Sequence, residues 1–154
     1  MRILTVGNSF PTAKQNFVHY KIEGLAARGH TVINLAFGLI DRKALQAWKK
    51  DHPGYKLSCY STASFALFKF AFFLAVQFFR NPGRVIRLWR VIQKAGYPLY
   101  VRYINFRNNL VMLSLADKVE VVHFEWKNQA VSFCETFSLL KIPFVVSVRG
   151  RGVT

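Results

Sequence analysis

Two groups of polar residues that could do chemistry stand at the ends of apolar runs near the C-terminus of this chain. His123 and Glu125 close the first run, and Arg149 and Gly150 close the second. An imidazole titrates near neutral pH, so a histidine beside a carboxylate could be a general acid/base pair. The arginine fork binds phosphate or carboxylate through two hydrogen bonds, so Arg149 is a candidate anion-binding residue. A structural histidine and a solvated loop arginine are the alternatives.

The elements that would position these residues form a parallel β-α-β unit. Val119–Trp126 and Ile142–Gly152 contain apolar runs of strand length. The segment between them carries apolar residues at helical spacing, namely Ala130, Phe133, Cys134, Phe137 and Leu140. Ligands of open α/β sheets bind outside the carboxyl ends of the strands. Both polar groups are therefore expected at the ligand-binding edge of a sheet.

The N-terminal part predicts a second β-α-β unit of the same sheet. Ile3–Val6 and Thr31–Phe37 have the composition of buried strands, and Thr12–Gln15 fits a capping box at the start of a helix. The helix has apolar residues at helical spacing and a glycine that stops it, namely Val18, Ile22, Leu25, Ala26 and Gly29. A short strand, helix and strand in this order indicate a right-handed crossover and a parallel sheet.

A turn at Gly7 and Asn8 follows the first predicted strand. In a doubly wound sheet this turn would lie beside His123 and Arg149. The turn has one glycine in place of the three of a dinucleotide-binding loop, so no nicotinamide cofactor is predicted. Gly7 is either a ligand-facing residue or an ordinary turn glycine.

Composition and charge limit the classes of function. The chain has 154 residues, enough for one domain with a core, and 52% of them are hydrophobic. Lys and Arg number 22 against 7 Asp and Glu, a formal charge of +15, which predicts a polyanionic neighbour. No nucleic-acid-binding motif is present, which leaves an anionic membrane surface or phosphorylated substrates. Four scattered histidines and two cysteines lack the spacing of metal ligands, so no metal and no cofactor are predicted, and Cys59 and Cys134 are read as reduced core thiols.

The middle of the chain predicts a short helix at Asp41–Asp51, a strand at Tyr55–Tyr60 and a phenylalanine-rich helix at Phe65–Phe79. The last of these is shorter than the roughly 20 apolar residues of a membrane span and contains Lys69, so a transmembrane helix is rejected. It is either a core helix or a helix with one face in a membrane interface.

A basic amphipathic helix is predicted after Asn81 and Pro82, a favourable cap and first-turn residue. One face carries Arg84, Arg87, Arg90 and Lys94, and the other carries Val85, Leu88, Trp89 and Ile92. A basic face with a tryptophan on the apolar side suits an anionic lipid surface, so these four basic residues are candidates to face a membrane. The alternative is a surface helix packed on the sheet. A further helix is predicted at Pro98–Ala116.

Three segments, taken in order, resemble the N-terminal domain of glycosyltransferase family 4, a family of retaining GT-B glycosyltransferases. They are Gly7–Pro11 with Phe17–Val32, then Val121–Phe124, then Ile142–Gly150. The resemblance implies an α/β, Rossmann-like three-layer sandwich with a mainly parallel sheet that binds the acceptor, while a C-terminal domain binds the nucleotide sugar. It implies transfer without a metal, often to lipid-linked or lipopolysaccharide acceptors at the cytoplasmic face of the membrane.

Position by position, the resemblance places Gly7 in the loop facing the cleft and His123 and Arg149 at the acceptor pocket. Where the family has a second histidine this chain has Glu125, and where it has a cleft histidine this chain has Arg149. Arginine cannot act as a base at neutral pH, so Arg149 takes an anion-binding role. His123 is therefore the candidate catalytic residue. The candidate acceptor- or anion-binding residues are Gly7, Asn8, Glu125, Arg149 and Gly150.

The sequence thus predicts that residues 1–154 are the acceptor half of a glycosyltransferase that builds a cell-surface polysaccharide or lipopolysaccharide. The expected location is peripheral, at the cytoplasmic face of the cell membrane. The domain is expected to be incomplete, and the donor-binding domain, with its Glu-x7-Glu motif, to be absent. Residues 1–154 alone are then expected not to transfer sugar. The alternative is a non-catalytic, basic, peripheral membrane-binding module derived from such an enzyme.

Overall fold

A five-stranded, all-parallel sheet forms the centre of the protein. The computed structural model describes residues 1–7, 11, 16–64 and 67–147. The strands are β1 (Arg2–Gly7), β2 (Thr31–Ala36), β3 (Leu57–Ser61), β4 (Val121–Phe124) and β5 (Phe144–Val146). Their order in the sheet is β3-β2-β1-β4-β5, so the direction of winding reverses between β1 and β4. The predicted α/β, Rossmann-like sheet is confirmed.

In the part of the chain that the structure describes, six α-helices and one 3₁₀ helix connect the strands. The helices are α1 (Asn16–Ala27), α2 (Arg42–Asp51), α3 (Leu67–Arg80), α4 (Pro82–Lys94), α5 (Leu99–Ala116) and α6 (Lys127–Val131), followed by a 3₁₀ helix at Cys134–Leu139. The predicted cap of α4 is confirmed, because the Asn81 side chain accepts a hydrogen bond from the Arg84 backbone N–H at 3.1 Å. Gly29, just past α1, has a φ of +79°, the left-handed conformation that ends helices. The predicted capping box at Thr12–Gln15 lies outside the described residues.

Two apolar clusters on opposite faces of the sheet make the three layers. On one face, alternate residues such as Leu4 and Val122 pack against Leu88 of α4 and Leu110 of α5. On the other face, β2 and β3 pack against α1 and α2 through Val18, Ile22, Val32, Trp48 and Leu57. The alternation of side chains along each strand supplies both faces, as expected for a parallel sheet covered on both sides.

Helix α3 lies on the outside of α4 and α5. Its Phe70 is buried and meets Tyr103 and Phe106 edge-on, with ring centroids 5.7 and 6.3 Å apart. The opposite side exposes Phe68, Phe72 and Phe79 to 84, 69 and 86%. The interpretation of this segment as a core helix therefore holds for one face only, because α4 and α5 already cover the sheet. Within the part of the chain that the structure describes, no helix is long and apolar enough to cross a membrane.

The helical segment predicted between β4 and β5 is present, but it is not continuous. It divides into α6 and the 3₁₀ helix, with Ser132 and Phe133 at the break. The Ser132 hydroxyl donates to the Asn128 carbonyl at 3.0 Å, and the Thr136 hydroxyl to the Phe133 carbonyl at 2.9 Å. Serine and threonine hydroxyls that bond to nearby backbone carbonyls bend and interrupt helices.

Candidate functional site

The carboxyl ends of β1 and β4 meet where the winding of the sheet reverses. Thr5 and Val6 of β1 are in register with His123 and Phe124 of β4. The Glu125 backbone N–H then donates to the Val6 carbonyl at 2.9 Å, which extends the pairing past the end of β4. Such reversal points are the usual ligand sites of open α/β sheets. The structure brings Gly7, His123 and Glu125 together here, while Asn8, Arg149 and Gly150 lie outside the described residues.

His123 and Glu125 project from the same side of the sheet, as residues two apart on an extended strand do. The His123 Nδ1 atom is 3.4 Å from Glu125 Oε1. The intervening Phe124 points to the opposite face, into the core against α5. Because the backbone is extended, the two-residue spacing of His123 and Glu125 brings their side chains into contact.

Two residues that the sequence analysis missed complete this group. Lys21, on α1, forms an ion pair with Glu125 Oε2, and its Nζ lies 3.1 Å from His123 Nδ1. Ser147, just after β5, places its hydroxyl oxygen 3.0 Å from His123 Nε2. We call Lys21, His123, Glu125 and Ser147 the strand-edge cluster. It draws on α1, β4 and the end of β5, so the fold is needed to assemble it.

Each protonation state of His123 has a partner in the strand-edge cluster. A lysine ammonium only donates, so its contact with Nδ1 requires a neutral ring with the proton on Nε2. That proton can be donated to the Ser147 hydroxyl oxygen. A proton added at Nδ1 would face Glu125 Oε1, which lies 3.4 Å from that nitrogen. Lys21 Nζ would then have to leave Nδ1, because two donors cannot share a hydrogen bond, and the 20% exposure of the lysine leaves it room towards the surface.

Glu125 is the most buried member of the cluster, with a side chain that is 1% exposed. Burial by itself raises the pKa of this carboxyl, but hydrogen bonds from His123 and Lys21 and the charge of Lys21 outweigh burial and lower the pKa below its ordinary value. Glu125 is therefore a carboxylate at neutral pH. Its charge is balanced by Lys21, whose side chain is 20% exposed and reaches the surface.

Gly7 makes room for Glu125. A Cβ atom at position 7 would lie 2.8 Å from Glu125 Cγ, closer than real Cβ contacts. The glycine at the end of β1 is thus required by a close approach of side chain to backbone. This gives Gly7 a positioning role in the site, which neither the ligand-facing nor the ordinary-turn interpretation had included.

Metal and thiol chemistry find no support among the described residues. No group of three or more His, Cys, Asp and Glu side chains there could hold a metal ion. Burial, opposed in part by the charge of Lys49, raises the pKa of the Cys59 thiol to about 12, so Cys59 is a neutral, weakly reactive thiol at pH 7. The side chain of Cys134 lies outside the described set.

The predicted membrane-facing residues divide into two groups. Arg87, Arg90 and Lys94 are exposed on α4. Arg84 instead makes a two-point ion pair with Asp117, in which Nη2 lies 2.8 Å from Oδ1, and its side chain is only 15% exposed. The structure thus leaves three of the four basic side chains available to a polyanionic surface.

An apolar groove borders Arg90, one of these three exposed basic residues. It has a volume of about 790 Å³ and lies between α3, α4 and α5, lined by aromatic and aliphatic residues including Phe70, Phe78, Ile86, Trp89 and Phe106. Arg90 stands at the groove, and Trp89 meets Phe106 edge-on with centroids 5.3 Å apart. We call this feature the aromatic groove. The sequence analysis placed Trp89 on the apolar face of this helix, and the structure leaves it 38% exposed at the groove.

Comparison with known proteins adds no relative. No family model matches the chain, and no curated protein and no solved structure is significantly similar to it. The resemblance to glycosyltransferase family 4 therefore stays a prediction.

Proposed function

We propose that this chain is the acceptor-binding half of a GT-B glycosyltransferase that modifies a lipid-linked or polysaccharide acceptor at a membrane surface. The observation that carries the proposal is the strand-edge cluster, which stands at the reversal point of a parallel sheet. In such a protein the nucleotide sugar is bound by a second domain. The chain itself supplies one wall of the cleft.

The chemistry of the cluster suits an acceptor hydroxyl. His123 is held at both ring nitrogens and retains 17% side-chain exposure, so a ligand at the sheet edge can reach it. In the proposed role the acceptor hydroxyl gives its proton to the imidazole of His123 as its oxygen bonds to the sugar and the nucleotide leaves, and Glu125 Oε1 stabilises the imidazolium. Lys21 keeps Glu125 charged throughout. Arg149 and Gly150 would add anion binding at the same edge.

The test is direct binding of an acceptor analogue and a donor to the purified chain. A synthetic prenyl-diphosphate-linked monosaccharide in detergent micelles is expected to shift the NMR signals of His123 and Ser147, whereas UDP-glucose alone is expected to leave them unchanged. His123→Gln should weaken acceptor binding while the chain stays folded. Acceptor binding that leaves both signals unmoved would contradict the acceptor site. Consumption of UDP-glucose by residues 1–154 with the acceptor would contradict the division into two halves.

A second candidate function is a non-catalytic, basic, peripheral membrane-binding module. The exposed phenylalanines of α3 beside the basic face of α4 favour it. The acceptor experiment separates the two candidates, because a module of this kind binds vesicles without engaging His123. Both candidates share the anionic membrane as a partner, and the enzyme would act from its cytoplasmic side.

A further inference from the structure

A second, chemically different pocket lies on the side of the sheet opposite the strand-edge cluster. It has a volume of about 280 Å³ and is formed by α5, α6 and the end of β2. Its polar lining consists of amides and one hydroxyl, from Asn105, Asn108, Asn109, Asn128, Gln129 and Ser132. We call it the amide pocket. The sequence does not reveal this pocket, because its lining residues come from separate parts of the chain, mainly α5 and α6.

The amide pocket is electrically neutral in a strongly basic chain. None of its lining residues carries a charge, although the chain has a formal charge of +15. Phosphate and carboxylate ligands favour arginine or lysine, which this lining lacks. An apolar ligand would cover amide groups without giving them hydrogen bonds, which is unfavourable. A neutral ligand with many hydroxyl groups meets both conditions, because it needs no charged partner and can hydrogen-bond to the amides.

Backbone and side-chain contacts fix the orientation of two of the amides. Asn109 donates to the Asn105 carbonyl at 2.8 Å, and its Oδ1 contacts the Thr136 hydroxyl. Asn128 accepts from the Gln129 backbone N–H at 3.0 Å. These bonds make part of the lining rigid before any ligand arrives, which lowers the cost of binding.

Asn108 has hydrogen-bonding capacity that the protein does not use. Its Oδ1 is buried and has no hydrogen-bond partner among the described residues. Buried side-chain oxygens without a partner are uncommon, and each one costs about 1–3 kcal/mol. Asn108 lines the pocket, and the terminal torsion of asparagine is broad, so its amide can rotate to meet a ligand there. A ligand hydroxyl there would supply the missing donor.

An aromatic wall completes the pocket. Phe37, directly after β2, lines it and stacks on Phe133 with ring centroids 5.5 Å apart. A sugar ring has an apolar C–H face as well as a rim of hydroxyls, so it can use an aromatic wall and amide groups together. The volume is near the lower limit of about 300 Å³ for small-molecule pockets, which limits the ligand to a single ring.

We infer that the amide pocket binds one neutral sugar ring. The inference stands apart from the proposed transfer reaction, because the pocket shares no residue with the strand-edge cluster. A neutral lining has no group that titrates near pH 7, so binding should change little between pH 6 and 8. It should also be insensitive to salt, unlike the binding of an anion to a basic surface.

The experiment is an NMR titration of the isotopically labelled chain with D-glucose, D-galactose and N-acetyl-D-glucosamine in the millimolar range. At least one sugar is expected to give saturable shifts at Asn105, Asn108 and Ser132. Asn108→Ala should weaken that binding about tenfold, the effect of one well-placed hydrogen bond. Gln93→Ala, which removes an exposed amide from α4, is the matched control and should bind as the wild type does.

Thermal unfolding distinguishes loss of a ligand contact from loss of the fold. Asn108→Ala removes an unpartnered oxygen, so its melting temperature should equal or exceed that of the wild type. The inference is overturned if none of the three sugars shifts these signals, or if folded Asn108→Ala keeps wild-type affinity. It is also overturned if glucose 6-phosphate binds more tightly than glucose in a salt-dependent manner. These outcomes are read at α5 and α6, so they are independent of the acceptor test at His123.

Discussion

Lys21 and Glu125 form an ion pair in which Lys21 is partly exposed to water and Glu125 is buried. Glu125 is 1% exposed and Lys21 is 20% exposed, so removal of the lysine leaves a buried carboxylate without its countercharge. Lys21→Met is therefore expected to lower the free energy of unfolding by about 3 kcal/mol at pH 7. Glu125→Gln keeps an acceptor for Lys21 and should cost about 1 kcal/mol. Urea unfolding followed by circular dichroism measures both.

The control for Lys21→Met is Lys50→Met, which removes an exposed lysine from α2. A surface substitution of this kind should change the free energy of unfolding by less than about 0.5 kcal/mol. In the double variant Lys21→Met/Glu125→Gln, part of the loss caused by Lys21→Met should be recovered. Equal losses for Lys21→Met and Lys50→Met would show that the buried pair is not formed in solution.

The same pair gives the stability of the protein a defined dependence on pH. The pKa of Glu125 in the folded state is lowered from 4.5, so the unfolded chain binds this proton more readily. The stabilisation is complete above pH 4.5 and is lost as the pH falls through the folded-state pKa. In Lys21→Met the charge and the hydrogen bond of Lys21 no longer oppose burial, so protonation of Glu125 becomes easier and relieves the buried charge. The gap in stability between wild type and Lys21→Met should therefore narrow as the pH falls from neutral towards and below 4.5.

Urea midpoints measured for both proteins at neutral pH and at successively lower pH values test this dependence. Other carboxyls titrate in the same range, but they are common to both proteins, so their contribution cancels in the difference. A gap that stays constant on acidification would assign the loss in Lys21→Met to packing and not to the charge of Glu125.

A substitution at Gly7 tests the position of Glu125 without changing any charge. A methyl group at position 7 would meet Glu125 Cγ at 2.8 Å, so Gly7→Ala must displace the carboxylate or the end of β1. We expect a loss of about 1–3 kcal/mol, typical of overpacking, together with shifted NMR signals for His123. Gly38→Ala is the control, since nothing lies within 4 Å of a Cβ atom there. A Gly7→Ala variant as stable as Gly38→Ala would contradict the close approach.

At the scale of single residues, the sequence predicted the part of the site that local rules determine. Gly7 ends β1, and His123 and Glu125 lie on either side of Phe124, the last residue of β4. Strand ends can be read from apolar runs and turns. Lys21 could have been found, because it lies three residues after Val18 and four before Leu25 on the apolar stripe of α1. Ser147 could not, since its contact with His123 depends on the pairing of β4 with β5.

At the scale of elements, the predicted strands and helices were confirmed, including the strand at Tyr55–Tyr60, which is β3 (Leu57–Ser61). The helix start at Asn81 rests on a capping side chain, which acts locally. The helical segment predicted between β4 and β5 is present, but it is divided into two short helices, which apolar spacing alone does not reveal. Its break follows from hydroxyl-to-carbonyl bonds at Ser132 and Thr136, which compete with the helix.

The exposed face of α3 shows why burial cannot be read from hydrophobicity alone. Phe68 and Phe70 are the same residue type two positions apart, yet one is exposed and the other is buried. The difference depends on α4 and α5, which cover the sheet and leave α3 on the outside. Composition predicted an apolar helix, and only the packing order of three helices determines which side of it faces water.

At the scale of the whole molecule, positive charge and exposed aromatic side chains occupy adjoining helices. Arg87, Arg90 and Lys94 are exposed on α4, and Arg90 also lines the aromatic groove that α4 forms with α3 and α5. Each basic residue near an anionic membrane contributes about 1 kcal/mol to binding. Replacement of all three by alanine should therefore weaken binding to phosphatidylglycerol-containing vesicles about a hundredfold. Flotation at low and high salt measures the loss.

The aromatic part of this surface should behave differently from the basic part. Phe68, Phe72 and Phe79 are largely exposed, and their burial in the interface depends on apolar area, which salt does not screen. The triple substitution to serine should abolish the salt-resistant fraction of vesicle binding and leave a salt-sensitive remainder. Matched controls lie across the sheet, namely Tyr20→Ser on α1 and the combined Arg42, Lys43 and Lys50→Ala on α2. Equal effects of the α2 and α4 charge substitutions would mean that net charge alone drives binding, with no oriented membrane face on α3 and α4.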